Sequence, residues 1–116
     1  MMKLWVDDVR MPNKEESGFI ICKSVNAAKD WINHFGINSF EAIYLDHDAG
    51  DYASDGGDYI CLLDWFEEMN MKPPVIYFLT ANPVGRMNMM KICQKNGWRC
   101  GRNVFATRKV GTDKCG

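Results

Sequence analysis

The run Val75-Ile76-Tyr77-Phe78-Leu79, set between Pro73-Pro74 and Thr80-Ala81-Asn82-Pro83, constrains the fold more than any other stretch of the chain. Consecutive β-branched and aromatic residues closed off by prolines are too few for a helix and show no polar face. A strand of this kind is buried on both sides, as in a parallel sheet packed between other layers. Three further short apolar runs fit the same sheet: Lys3-Leu4-Trp5-Val6, Phe19-Ile20-Ile21-Cys22 and Ala42-Ile43-Tyr44-Leu45.

Between these runs the spacing changes to helical. Ser24 is a natural N-cap, and Val25, Ala28, Trp31, Ile32 and Phe35 recur on one helical face before Gly36 ends the helix. Asp58 is placed to cap a second helix with the stripe Tyr59, Leu62, Leu63, Phe66 and Met69, which Pro73-Pro74 stops. Asn82 as N-cap and Pro83 at the first helical position start a third, through Met89, Ile92 and Cys93 to Gly97. Met11 to Gly18 reads as a loop. The stretch 98–116 is a basic, weakly patterned tail in which Val104-Phe105-Ala106-Thr107 is the candidate for one more strand. The order strand, strand, helix, strand, helix, strand, helix describes an open α/β sheet, mostly parallel, with helices over its faces. The 116 residues fit one domain, 1–116.

Composition excludes several classes. No apolar stretch approaches the ~18 residues of a membrane span, and the first residues lead straight into strand-like sequence rather than a signal peptide, so no membrane partner is expected and the expected location is cytoplasmic. Five cysteines, odd in number and without a Cys-x-x-Cys pair, argue against a disulfide framework and a structural zinc site. The net charge of −1 hides a division. Residues 1–68 hold five Lys/Arg against fourteen Asp/Glu, net −9; residues 69–116 hold nine against one, net +8. Folding one half onto the other can set carboxylates beside a basic surface, which suits a metal ion with a phosphate. The tail bases Arg99, Arg102, Arg108, Lys109 and Lys114 lack interleaved aromatics, so nucleic acid is not the expected partner. A homo-oligomeric state is left open.

Open α/β sheets bind ligands beyond the carboxyl ends of their strands. That rule selects Asp7, Asp8 and Arg10; Asp46, His47 and Asp48; and Thr80, Asn82 and Arg86. Four carboxylates on neighbouring strand ends repel unless a cation neutralises them, and their hard oxygens suit Mg²⁺ or Mn²⁺. Adjacent residues on an extended chain point oppositely, so Asp8 and Asp46 are expected as the inward metal ligands, with Asp7 and Asp48 as further candidates. His47, flanked by acids at a strand end, is the candidate for proton transfer near neutral pH; His34 reads as a solvated residue at a helix end. Asn82-Pro83-Val84-Gly85-Arg86 should offer a phosphate the free amides of a helix start, with Arg86 as a second ligand and Gly85 admitting close approach.

Three blocks, Leu4-Trp5-Val6-Asp7-Asp8-Val9-Arg10, Tyr44-Leu45-Asp46-His47-Asp48-Ala49-Gly50 and Thr80-Ala81-Asn82-Pro83-Val84-Gly85-Arg86-Met87-Asn88-Met89, resemble the cyclic-phosphate-processing receiver-like domains, in order and spacing, over about residues 3–96. The resemblance implies a receiver-like (flavodoxin-like) three-layer fold lacking the first helix. It also implies action on a cyclic phosphate or cyclic nucleotide, and it adds Asn88 to the ligand-binding candidates. The chain departs from the pattern at Leu79-Thr80, where the family has His-Ser, and at Ala49, where Leu is usual. Three activities compete. The leading one is a phosphoesterase opening a cyclic phosphodiester with catalytic Asp8, Asp46 and His47. The second is a binder that sequesters such a ligand unchanged. The third is a signalling receiver phosphorylated on Asp46, for which Lys109 is the only candidate for the receiver lysine.

Overall fold

The computed structural model describes residues 1–12, 17–80 and 82–102. They form a five-stranded sheet of β1 (Met2–Val6), β2 (Phe19–Cys22), β3 (Phe40–Leu45), β4 (Val75–Phe78) and β5 (Cys100–Arg102), in the order β2-β1-β3-β4-β5. Every pairing is parallel. Three helices connect them: α1 (Val25–Phe35), α2 (Ile60–Glu68) and α3 (Pro83–Asn96). This is a receiver-like, flavodoxin-like α/β fold. The strand order reverses between β1 and β3, so the ligand crevice of such a sheet falls at their carboxyl ends. Among the described residues, no helix is long and apolar enough to cross a membrane.

Capping residues set the helix starts as the sequence suggests in two cases of three. Ser24 accepts from the Ala27 amide at 3.0 Å, and Asn82 precedes Pro83 at the first position of α3. Asp58 does not cap α2. The N-cap is Tyr59, and the Asp58 carboxylate instead accepts from the Ala49 amide, holding the loop after β3. The apolar stripes also end sooner than their periodicity predicts. Val25, Ala28 and Ile32 are buried, whereas Trp31 and Phe35 are exposed and stack on each other; Met69, past the end of α2, is 56% exposed. β5 occupies the start of the stretch read as a tail, and the strand expected at Val104–Thr107 lies outside the described residues, as does Lys109.

The core lies between the sheet and one helical layer, so the described residues make two layers rather than the three expected. Leu4, Val6, Ile43, Leu45, Ile76 and Phe78 pack with Val25, Ala28 and Ile32 of α1, Leu62, Leu63 and Phe66 of α2, and Met89 and Cys93 of α3. Each large apolar side chain sealed there contributes about 1.5–3 kcal/mol. Handedness explains why the three helices share a face. Connections β2→β3, β3→β4 and β4→β5 run the same way across the sheet, and a right-handed crossover puts all three on one side. Only β1→β2 runs the other way. Its described residues form no helix, as the resemblance implied, and its Arg10 carbonyl accepts from the Trp5 indole at 2.9 Å. Trp5 and Leu79 are buried on that second face, packed with Phe19 and Tyr44.

Candidate functional site

Parallel register, not sequence proximity, builds the site. Val6 pairs with Cys22 and Leu45, and Leu45 with Phe78, so the next residues of four strands stand level on one rim: Lys23, Asp7, Asp46 and Leu79. Asp7, Asp8 and Asp46 each place a carboxylate oxygen within 4.8 Å of the others. Asp7 is fully buried and Asp46 nearly so. Asp7 plays two parts. Its Oδ1 accepts from the amides of Val9 and Arg10 at 2.9 Å each, fixing the turn after β1, while its Oδ2 faces the Arg10 guanidinium at 3.4 Å. The same guanidinium nitrogen lies 3.5 Å from Asp46 Oδ1, so Arg10 bridges the two acids. Asp48 does not join the group; it is exposed and accepts from the Gly50 amide at 2.9 Å, bracing its own loop.

One arginine does not balance three carboxylates. Burial, followed by the charge of Asp7, pushes the Asp46 carboxyl up to about 6, against the opposing pull of the His47 amide and Arg10, with Asp8 adding to the rise. A divalent cation would relieve this directly. The donor set fits one: oxygen ligands alone, within the reach of a single ion and close to solvent through the half-buried Asp8. Gly50 keeps the place open, since its positive φ of 58° favours glycine and a Cβ there would lie 2.6 Å from Asp8 Oδ2.

His47 extends the rim toward α3. Its amide donates to Asp46 Oδ1 at 2.8 Å and its imidazole lies against Gly85, where a Cβ would come within 2.5 Å of the ring. Gly85 therefore provides the close approach, to a histidine ring rather than to a bound anion. The expected free amides at the start of α3 are not there. Asn82 Oδ1 accepts from both Val84 and Gly85, the Arg86 amide donates to the Asn82 carbonyl, and Pro83 has no N–H. The cap uses what the helix start would have offered. What remains is the positive end of the helix dipole and Arg86, which gives one N–H to the Thr80 carbonyl at 3.3 Å out of the five a guanidinium carries. The Thr80 hydroxyl accepts from the Asn82 amide, and Asn88 is exposed one turn further along α3, with no hydrogen bond to the rim among the described residues.

Two residues on the rim are absent from the expectations. Lys23 reaches the Asp8 carbonyl through Nζ at 3.4 Å; it directly follows β2, so the strand-end rule finds it once applied to that strand. Tyr59 is buried and donates through its hydroxyl to the Lys23 carbonyl at 2.8 Å. Burial, then the charges of Asp8, Asp7, Asp46 and Asp48, push its phenol well above its usual range, so the proton stays. Nothing local in the sequence marks Tyr59, because its role depends on β2 lying beside β1. Leu79, at the position where the resemblance leads to an expected His, is sealed against Trp5, and His34 packs against Phe35 and Trp31 on α1. That leaves His47 as the imidazole at the rim, since the chain has two histidines.

No curated protein and no solved structure matches the sequence. The sequence model of one family does match, over residues 2–95, and this span takes in β1 to β4 and all but the last residue of α3, with every rim residue described above. The chain belongs to the cyclic-phosphate processing receiver domain family.

Proposed function

We propose that this domain hydrolyses a cyclic phosphodiester, a cyclic nucleotide or a terminal 2′,3′-cyclic phosphate, with a divalent cation, Mg²⁺ or Mn²⁺, held by Asp7, Asp8 and Asp46. The carrying observation is the convergence of those three carboxylates beside an imidazole and a guanidinium on one rim. When bound, the cation supplies charge neutralisation at phosphoryl oxygens and acidifies a coordinated water. Arg86 and the positive end of α3 hold the phosphodiester anion and oppose the charge that builds on phosphorus. His47 accepts a proton from the attacking water and returns it to the ring oxygen as the P–O bond breaks, leaving a phosphomonoester. Its backbone amide is tied to Asp46 and its ring lies against Gly85, so the proton moves at a fixed place. Arg10 and the Asp7 turn hold the two buried acids together, and Lys23 adds a cation at the β2 side of the rim.

Leu79 favours a second reading. With an apolar residue buried in place of the family's histidine, one imidazole is left to serve both proton transfers. A protein that binds a cyclic phosphate without opening it would carry this change at no loss. Incubating the purified protein with Mn²⁺ or Mg²⁺ and a panel of cyclic mono- and dinucleotides, followed by ³¹P NMR, separates the two. A phosphomonoester signal that disappears in His47→Gln supports hydrolysis. Ligand bound stoichiometrically and recovered unchanged supports the binder, and a panel neither cut nor bound refutes both.

A further inference from the structure

The acidic rim uses no thiol, yet two of the chain's cysteines meet at the far end of α3. Cys93 is fully buried one turn before the helix ends, and Cys100 is half-buried at the first position of β5. The turn between them is tight: Gly97 takes the left-handed conformation and the Trp98 amide donates to the Cys93 carbonyl at 2.9 Å, folding the chain back over that residue. Cys100 pairs with Ile76, and its side chain faces the helical layer, packed against the cluster that contains Cys93. The two thiols are neighbours on that side of the sheet.

We propose that Cys93 and Cys100 are a modification site, oxidised by a small-molecule disulfide such as glutathione disulfide to an intramolecular disulfide that ties the last turn of α3 to β5. Among the described residues β5 is an edge strand, three residues long and paired only with β4, so this bridge would fasten a weakly supported part of the sheet. The chemistry has an order. Burial, and then its neighbour, pushes the Cys93 thiol up to about 12, so Cys93 is the poorer starting nucleophile and the more exposed Cys100 reacts first. The Cys100 thiolate attacks glutathione disulfide and expels one glutathione. The Cys93 sulfur, its proton passed to water, then attacks the Cys100 sulfur and expels the second. Two protein thiols are oxidised and one glutathione disulfide is reduced to two glutathiones.

The full chain is exposed to glutathione disulfide, quenched by alkylation and mapped by peptide mass spectrometry. The expected product is a linked Cys93–Cys100 peptide lacking two hydrogens, reversed by dithiothreitol. Cys93→Ser, checked for its native circular dichroism, should stop at the Cys100–glutathione adduct. A stable adduct on Cys100 in the unsubstituted protein, a link formed through Cys22, Cys61 or Cys115 instead, or no reaction at Cys100 in either protein would overturn the proposal.

Discussion

Replacing Asp46 by Asn should stabilise the protein in the absence of metal, and by an amount that depends on pH in a defined way. The Asp46 carboxyl titrates near 3.8 when unperturbed and at about 6 in the fold, chiefly because it is buried and beside Asp7. Between these values the folded state holds a proton that the unfolded state has released. Stability from this group is therefore complete below about pH 4, falls as pH rises, and is lost above about pH 6. A displacement of about two units corresponds to about 3 kcal/mol, carried by a side chain only 11% exposed. In a domain of this size that is about 12 °C or more in Tm. Asn keeps an oxygen for the His47 amide and has no charge to bury. Urea unfolding of both proteins in EDTA, from about pH 4 to pH 8, gives a difference curve in which Asp46→Asn gains up to about 3 kcal/mol across that window. The carboxyls of Asp55, held down by Ser24 and Asn26, and of Glu67, held down by Asn96 and Lys95, work the other way at lower pH, but both proteins carry them and they cancel. A cation at a hundred times its Kd adds about 2.7 kcal/mol, nearly the whole penalty, and should do so for the unsubstituted protein alone. A flat difference curve, or Asp46→Asn less stable at neutral pH without metal, would refute the reasoning.

Other substitutions probe the rim at separate points. Gly85→Ala would ordinarily gain about 1 kcal/mol in a helix; here the methyl meets the His47 ring, so urea unfolding should show a loss of stability and assays a loss of turnover. His47→Gln should lower the rate of cyclic phosphate opening by about 10²–10⁴-fold while the ligand's Kd, measured calorimetrically, changes little. Gly50→Ala, which crowds Asp8 Oδ2 and forces alanine to a positive φ, should weaken Mn²⁺ binding in a titration followed by water-proton relaxation. Tyr59→Phe removes the hydrogen bond to the Lys23 carbonyl and should cost about 1 kcal/mol in the same unfolding assay.

Much of this architecture was legible because it depends on neighbours in the chain. Pro73-Pro74 and Asn82-Pro83 bracket β4, and Ser24 starts α1, by local chemistry that no packing overrides. The acids were legible as strand-end residues, since a parallel sheet brings all its carboxyl ends to one side. What escaped depends on partners distant in sequence. Asp58 looked like a cap until the Ala49 amide, nine residues away, offered it a better place. Asn82 is the cap its sequence context suggests, and as a cap it takes the Val84 and Gly85 amides away from any anion, because one carboxamide oxygen accepts from both. Placing Lys23 and Tyr59 on the rim, and all three helices on one face, required the strand order, which hydrophobic periodicity does not carry.

The central claim is that cation and phosphate share one site, and Mn²⁺ tests it through its effect on the ³¹P resonance of a bound cyclic nucleotide. His47→Gln serves as the background, so that the ligand persists during the measurement. Mn²⁺ should broaden the phosphorus line in that protein, and the broadening should vanish when either Asp8→Asn or Arg86→Ala is added. Broadening that survives both substitutions, or a ligand that binds without sensing the metal, would contradict the account.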